Sequence, residues 1–235
     1  MLRILHTNDF HGMLDDGRES VLAGLRKEAD LYFDCGDCVK AGNLAIPLKA
    51  DPVWPRLARL ECTASVLGNR ESHPLEGPFK AKIAGAEHPL LAGNMVRRSD
   101  GQGVLPGTML IEVGGVRVGV IAVMVPMVTR KMASRVVSQF LWEEPIGAAA
   151  ALAQQVRPHV DCLIALTHIG FKKDQVLAER CPEIDLILGG HSHTVLESAT
   201  MVGKTAICQT GSHGRFTGVY SWDGGLVSYR LVALA

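Results

Sequence analysis

Short apolar runs that stop abruptly on polar residues constrain this chain more than any other feature. The runs at 2–6, 31–35, 63–67, 89–92, 161–166 and 185–188 are nearly continuous and bounded by Gly, Asp, Asn or Pro, which is the pattern of strands. Because they do not alternate with polar residues, each is expected to be buried on both faces. Helix-like stretches lie between them at about 18–29, 51–61, 143–157 and 173–180. The third opens at Glu143-Glu144-Pro145, and proline suits a first helical turn. Two hairpins interrupt this rhythm: Gly114-Gly115 separates 109–113 from 116–123, and Asp223-Gly224-Gly225 separates 216–222 from 226–232. The hairpin runs alternate, so they suit half-buried antiparallel strands. Together these elements predict an α/β sandwich, two sheets face to face with helices outside, its antiparallel members towards the middle and end of the chain.

The 235 residues, 47% of them hydrophobic and 20% charged, are enough for a large core, and one domain spanning 1–235 is expected. Lys and Arg number 24, as do Asp and Glu, so the net charge is zero and nothing points to a nucleic-acid polymer or an anionic membrane surface. The longest apolar stretch, 118–128, is shorter than the roughly 20 residues of a membrane-spanning helix and contains Gly119 and Pro126. Met1-Leu2-Arg3-Ile4-Leu5 runs straight into His6-Thr7-Asn8-Asp9 without the layout of a secretion signal, so a cytoplasmic location is expected. The six cysteines then read as small buried hydrophobes. Cys35-Gly36-Asp37-Cys38 has the spacing of a redox motif but opens no helix, and redox chemistry is disfavoured.

The polar stops carry the chemistry. Leu5 leads into Asp9 and His11, Phe33 into Asp37, Leu67 into Asn69, Leu166 into His168, and Leu188 into His191 and His193. In open α/β sheets, ligands gather beyond the carboxyl ends of the strands, where all of these residues fall. Taken singly, each has a bland reading. Asp-x-His is usually a cap or turn, Asn69 after Gly68 suits a left-handed turn, His168 can be a satisfied core histidine, and His191 and His193 can be surface residues. Their coincidence at five strand ends favours metal binding. A mixed carboxylate, amide and imidazole set suits manganese, iron or zinc, and it has too many donors for one tetrahedral ion but fits two.

At this point a family resemblance enters. His6-Thr7-Asn8-Asp9-Phe10-His11-Gly12, Gly36-Asp37, Gly68-Asn69, Thr167-His168 and Gly190-His191-Ser192-His193 resemble the ordered signature of calcineurin-like metallophosphoesterases, in the branch that includes 5′-nucleotidases. The resemblance spans nearly the whole chain, from Leu2 to about Gly218. It implies a four-layer α/β/β/α sandwich of two mixed sheets and a dinuclear-metal phosphoric ester hydrolase acting on a small phosphorylated substrate. It also implies that Asp9, His11 and His193 hold one divalent ion, Asn69, His168 and His191 the other, and that Asp37 bridges them. Two such ions lower the pKa of a water between them and stabilise in-line displacement at phosphorus.

The third block departs from the family, which usually writes Gly-Asn-His-Glu, its nucleotidase branch adding an Asp that orients the histidine. Here it reads Gly68-Asn69-Arg70-Glu71-Ser72-His73, with Arg70 in the place of the histidine and His73 in that of the Asp. Arginine can clamp phosphoryl oxygens but cannot act as a general acid. Three readings stay open: His73 swings in as a substitute acid, the substrate has a leaving group that needs none, or the centre has become a slow or purely binding site. The last makes the chain a metal-binding scaffold or interaction protein. A further alternative uses the same centre on a non-phosphorus ester or anhydride. Asn8 and His6 can orient the first ligands by hydrogen bonds, although His6 can equally be core. His213, in Gln209-Thr210-Gly211-Ser212-His213-Gly214, reads as a turn residue, with support of the ligands as its alternative. Nucleotide specificity is not implied, because periplasmic 5′-nucleotidases grip the nucleoside with a second domain.

Overall fold

A computed structural model describes residues 1–234 of the chain. From the amino terminus the chain alternates strand and helix: β1 (Leu2–Thr7), α1 (Asp16–Arg26), β2 (Leu31–Asp34), α2 (Val53–Arg59), β3 (Ala64–Val66), α3 (Glu76–Ile83) and β4 (Leu90–Leu91). A strand-rich middle follows, with β5 (Met95–Arg97), β6 (Thr108–Val113), β7 (Val116–Met124) and β8 (Phe140–Trp142). Alternation then resumes with α4 (Pro145–Val156), β9 (Cys162–His168), α5 (Phe171–Arg180) and β10 (Leu186–Gly189), before β11 (Thr200–Val202), β12 (Thr205–Cys208), β13 (Phe216–Trp222) and β14 (Leu226–Ala233).

Two six-stranded mixed sheets result, ordered β14-β13-β1-β2-β3-β4 and β11-β12-β10-β9-β7-β6. β1 to β4 run parallel, as do β12, β10, β9 and β7, while the hairpin partners pair antiparallel. Successive side chains on a strand point to opposite faces. Ile4, Phe33 and Val66 of the first sheet therefore meet Val120, Ile164 and Leu188 of the second in one buried layer. Leu5 and Tyr32 face outwards onto Leu22 of α1 and Trp54 and Leu57 of α2. Ile121, Ala165 and Ile187 face outwards onto Ala149 and Ala153 of α4 and Leu177 of α5. The architecture is the four-layer α/β/β/α sandwich, and a strand buried on both faces explains each unbroken apolar run.

Local rules set the helix starts. The Glu144 carboxylate accepts from the N–H groups of Ile146 and Gly147, with Pro145 in the first turn, and the Asp15 carboxylate caps α1 by accepting from Arg18 N–H. Both predicted hairpins form, but β7 departs from the half-buried expectation: residues 118–124 are buried throughout, because β7 also pairs in parallel with β9. The sequence reading missed α3, β5, β8 and β11. Among the described residues no helix is long and apolar enough to cross a membrane.

Candidate metal centre

The loops after β1, β2, β3, β9 and β10 meet at one rim. Asp9 N–H donates to the Gly36 carbonyl (2.9 Å) and His11 N–H to the Asp37 carbonyl (2.8 Å), so the first two loops run against each other. The chain reaches these positions by reversing sharply. Asp9 (φ 54°), His11 (51°), Asp37 (54°), His191 (78°) and His193 (56°) are left-handed, and His213 (61°) and Glu61 (49°) are the other non-glycine examples among the described residues. Asp, Asn and His tolerate this region best, yet each such residue costs on the order of 1 kcal/mol. Strain concentrated on five predicted ligands marks a functional rim. Glycine makes the close approach feasible. A Cβ on Gly36 (φ 81°) would lie 2.5 Å from Gly68 N, and one on Gly190 would lie 2.7 Å from the Cys35 carbonyl.

Two donor groups converge there: Asp9 with His11 and His193, and Asp9 with Asp37 and His168. His11 Nε2 and His193 Nε2 are 2.9 Å apart and lie 3.6 and 3.3 Å from Asp9 Oδ1. His168 Nε2 is 3.4 Å from Asp37 Oδ1. Asn69 joins through its amide, with Nδ2 3.2 Å from Asp37 Oδ2 and Oδ1 2.9 Å from His191 Nδ1. Asp9 Oδ1 and His168 Nε2 are buried without a hydrogen-bond partner. Orphaned buried polar atoms of this kind demand an explanation, and a shared cation supplies one. The resemblance made Asp37 the bridge; in the geometry it is Asp9 that belongs to both groups, with Asp37 in the second alone. Asp9 Oδ2 already accepts from Asn8 Nδ2 (2.7 Å) and His191 N–H (2.9 Å), which turns the orphaned Oδ1 inwards.

The signature described as calcineurin-like phosphoesterase matches residues 2–195. The chain belongs to that family. It is 29% identical to a 5′-nucleotidase-related protein of Glossina morsitans morsitans over 86% of this chain and 42% of the relative. It is 28% identical to a 5′-nucleotidase of Mus musculus, again over 86% of this chain but 40% of the relative. Each match thus leaves more than half of the relative's length outside it. A 5′-nucleotidase precursor from Thermus thermophilus shares the fold, with a TM-score of 0.78 and 24% identity over 99% of this chain and 54% of that one.

Behind the rim, the candidate donors are oriented by a layer of side chains. His168 Nδ1 donates to the Cys35 carbonyl (2.6 Å), so that in the neutral imidazole it is Nε2 that offers its lone pair to the centre. Burial works against a charge on His168, yet Asp37 and then Asp9 lift its pKa to about 10. Burial likewise opposes ionisation of Asp37, but His168 outweighs it and holds that carboxyl below its usual range. Asn8 is saturated, donating to Asp9 and to the Gly211 carbonyl and accepting from Thr210. His6, by contrast, turns to the Tyr220 hydroxyl (2.9 Å) and belongs to the core. Cys35 and Cys38 are buried, unpaired and pushed up by burial, which removes the redox reading.

Sequence reasoning missed Glu71, Asp174 and Gln209. Glu71 accepts from the N–H groups of Asp37 (2.8 Å), Gly68 (2.9 Å) and Val39 (3.0 Å), joining the β2 and β3 loops. Asp174 accepts from Thr167 Oγ1 (2.6 Å) and Gln209 Nε2 (2.8 Å) behind His168, and burial pushes its pKa up to about 7. Buried carboxylates look like surface charges in a sequence, and only the position of Glu71 two residues after Asn69 hinted at a role.

At the departing block the two candidates separate. Arg70 sits at the rim: its N–H donates to Asp37 Oδ1 (2.7 Å), and its Nε lies 3.9 Å from Asp37 Oδ2. His73 is buried, and no hydrogen bond or ion pair links it to the donor set. Its Nδ1 accepts from Leu75 N–H (3.0 Å) at the start of α3, and burial, then Lys82, lowers its pKa. His213 is a left-handed turn residue, as read, and its ring also packs 4.9 Å from that of His11.

Proposed function

We propose that this chain, as one domain spanning residues 1–235, hydrolyses a small phosphomonoester or phosphodiester at a centre of two divalent ions. The observation that carries the reading is the convergence of Asp9 Oδ1 and His168 Nε2, both buried and without a hydrogen bond, with left-handed His11, His191 and His193. On this reading Asp9, His11 and His193 hold one ion, Asn69, His168 and His191 the other, and Asp37 lies between them. The donor set suits manganese, iron or zinc. Two such ions, when bound, supply Lewis acidity and activate a water for in-line displacement at phosphorus.

The chain's own residues do the rest. Asn8 and His191 N–H fix one oxygen of Asp9, and the Cys35 carbonyl fixes the tautomer of His168. Arg70, permanently charged, holds phosphoryl oxygens and offsets developing negative charge. It gives no proton, and His73 is occupied at α3, so the leaving group takes its proton from solvent or needs none. The relatives' names make nucleotides the first substrates to test. Six buried, unpaired cysteines support a reducing compartment such as the cytoplasm.

Manganese-loaded protein assayed for phosphate release against a panel of aryl and alkyl phosphomonoesters and diesters tests the reading. Turnover that tracks metal content is the expected result. Bound metal without turnover, in both the natural chain and Arg70→His, would leave the metal-binding scaffold as the function. Ester cleavage without phosphate release would move it to a non-phosphorus substrate.

A further inference from the structure

Lys82 lies on α3, and its side chain is almost fully buried, at 1% exposure. Its Nζ donates to three backbone carbonyls, those of Gly42 (2.7 Å), Asn43 (2.8 Å) and Arg70 (2.6 Å). An ammonium has three donors, so the group is saturated. Buried lysines are rare because losing water costs free energy, and an aliphatic residue would fill the space without that cost. Burial pulls the Lys82 pKa down to about 8 against the pull of Glu71 and Asp37.

The three carbonyls share a location beside the rim. Arg70 is the residue facing Asp37, and Asn43 Oδ1 accepts from Asn69 Nδ2 (2.8 Å). Arg70 Nη1 donates back to the Lys40 carbonyl (3.1 Å). Among the described residues no backbone hydrogen bond joins 40–43 to 69–72, so side chains alone tie these two segments together. Lys82 is the one that grips both from beneath.

We propose that Lys82 is a positioning residue for oxyanion binding: by holding the carbonyls of Gly42, Asn43 and Arg70 it fixes the Arg70 guanidinium against the metal rim. The proposal rests on the phosphoester reading for the identity of the anion, and on hydrogen bonds alone for the clamp.

Calorimetric titration of manganese-loaded protein with inorganic phosphate separates the possibilities. Lys82→Met and Arg70→Ala should each weaken phosphate binding about tenfold or more, the scale of a charge-assisted hydrogen bond. The double variant should bind no more weakly than Arg70→Ala, because Lys82 acts through Arg70. Lys80→Met, on the same helix but 71% exposed, should change nothing. A Lys82→Met affinity within about twofold of the natural chain, or losses that multiply in the double variant, would overturn the proposal. Hydrogen exchange on metal-free protein gives a second readout that needs no phosphate binding. Lys82→Met should speed exchange at 40–46 and 69–72 and nowhere in the sheets; unchanged exchange there overturns the clamp. Should the natural chain bind neither metal nor phosphate, the hydrolase reading fails while the exchange result still decides on Lys82. If Lys82→Met does not fold, Lys82→Gln, which retains an amide donor, takes its place. Failure of both to fold would make Lys82 a core residue and nothing more.

Discussion

The loops after β1, β2 and β10 hold their side chains by backbone geometry, whereas the segment after β3 holds its own through other side chains. Asp9, His11, Asp37, His191 and His193 are all left-handed, and amide to carbonyl bonds lock the first two loops together. Residues 69–73 include no left-handed position; the Glu71 carboxylate and the Lys82 ammonium fasten that stretch instead. A backbone-held position accepts few residue types, because Asp, Asn and His tolerate a left-handed backbone best. A side-chain-held segment can exchange a residue without rebuilding the loop, and it is there that arginine stands in place of the usual histidine.

Four substitutions and a titration probe this contrast, taken from the largest effect to the smallest. Asp37→Asn removes the carboxylate that stands with Asp9 and His168 in the second donor group, so elemental analysis should find manganese falling from about two ions per chain towards one, with turnover lost alongside. Full occupancy in that variant would show that the backbone-held rim does not depend on Asp37. Glu71→Ala leaves three buried N–H groups without a partner, each worth roughly 1–3 kcal/mol, so a melting temperature lowered by about 6 °C or more is expected. A smaller shift would mean that the side-chain fastening is weaker than the geometry suggests. Arg70→Ala should reduce phosphate affinity by roughly 10–100-fold while leaving metal content unchanged, which separates the clamp from the rim.

The titration concerns the metal-free protein. The folded-state pKa of His168, about 10, stands above its ordinary value of 6.5. Its pairing with Asp37 therefore stabilises the metal-free fold fully below pH 6.5 and is lost as pH rises through 10. A thermal scan should show the melting point falling between these limits, and Asp37→Asn should flatten the fall. Manganese affinity should run the other way, strengthening as pH rises, because His168 sheds its proton to bind. Smallest of all, His73→Ala should leave phosphate affinity within about twofold and cost about 1 kcal/mol of stability, the scale of a helix-start hydrogen bond. A tenfold loss of turnover in that variant would return His73 to the chemistry.

The same contrast explains what the sequence revealed. Continuous apolar runs such as Leu163-Ile164-Ala165-Leu166 could only be strands covered on both sides, and the residues that end them met at one rim. Helix α3, Glu76-Gly77-Pro78-Phe79-Lys80-Ala81-Lys82-Ile83, has no clear apolar stripe, because one of its two buried side chains is a lysine held by carbonyls. Glu71 and Asp174 were hidden for a related reason. A carboxylate satisfied by backbone amides or by Thr167 and Gln209 has no signature until the loops that supply those donors are placed in space. His213 shows the limit from the other side, since its turn geometry was legible and its contact with His11 was not.

The handedness of the rim also bears on redesign. Replacing an imidazole by a thiolate is the usual way to favour a softer metal. At His191 or His193 a cysteine would inherit a left-handed backbone that Asp, Asn and His tolerate far better. Chirality, before charge or softness, therefore limits exchange at these positions, and of the proposed ligands it is Asn69 and His168 whose backbones impose no such selection.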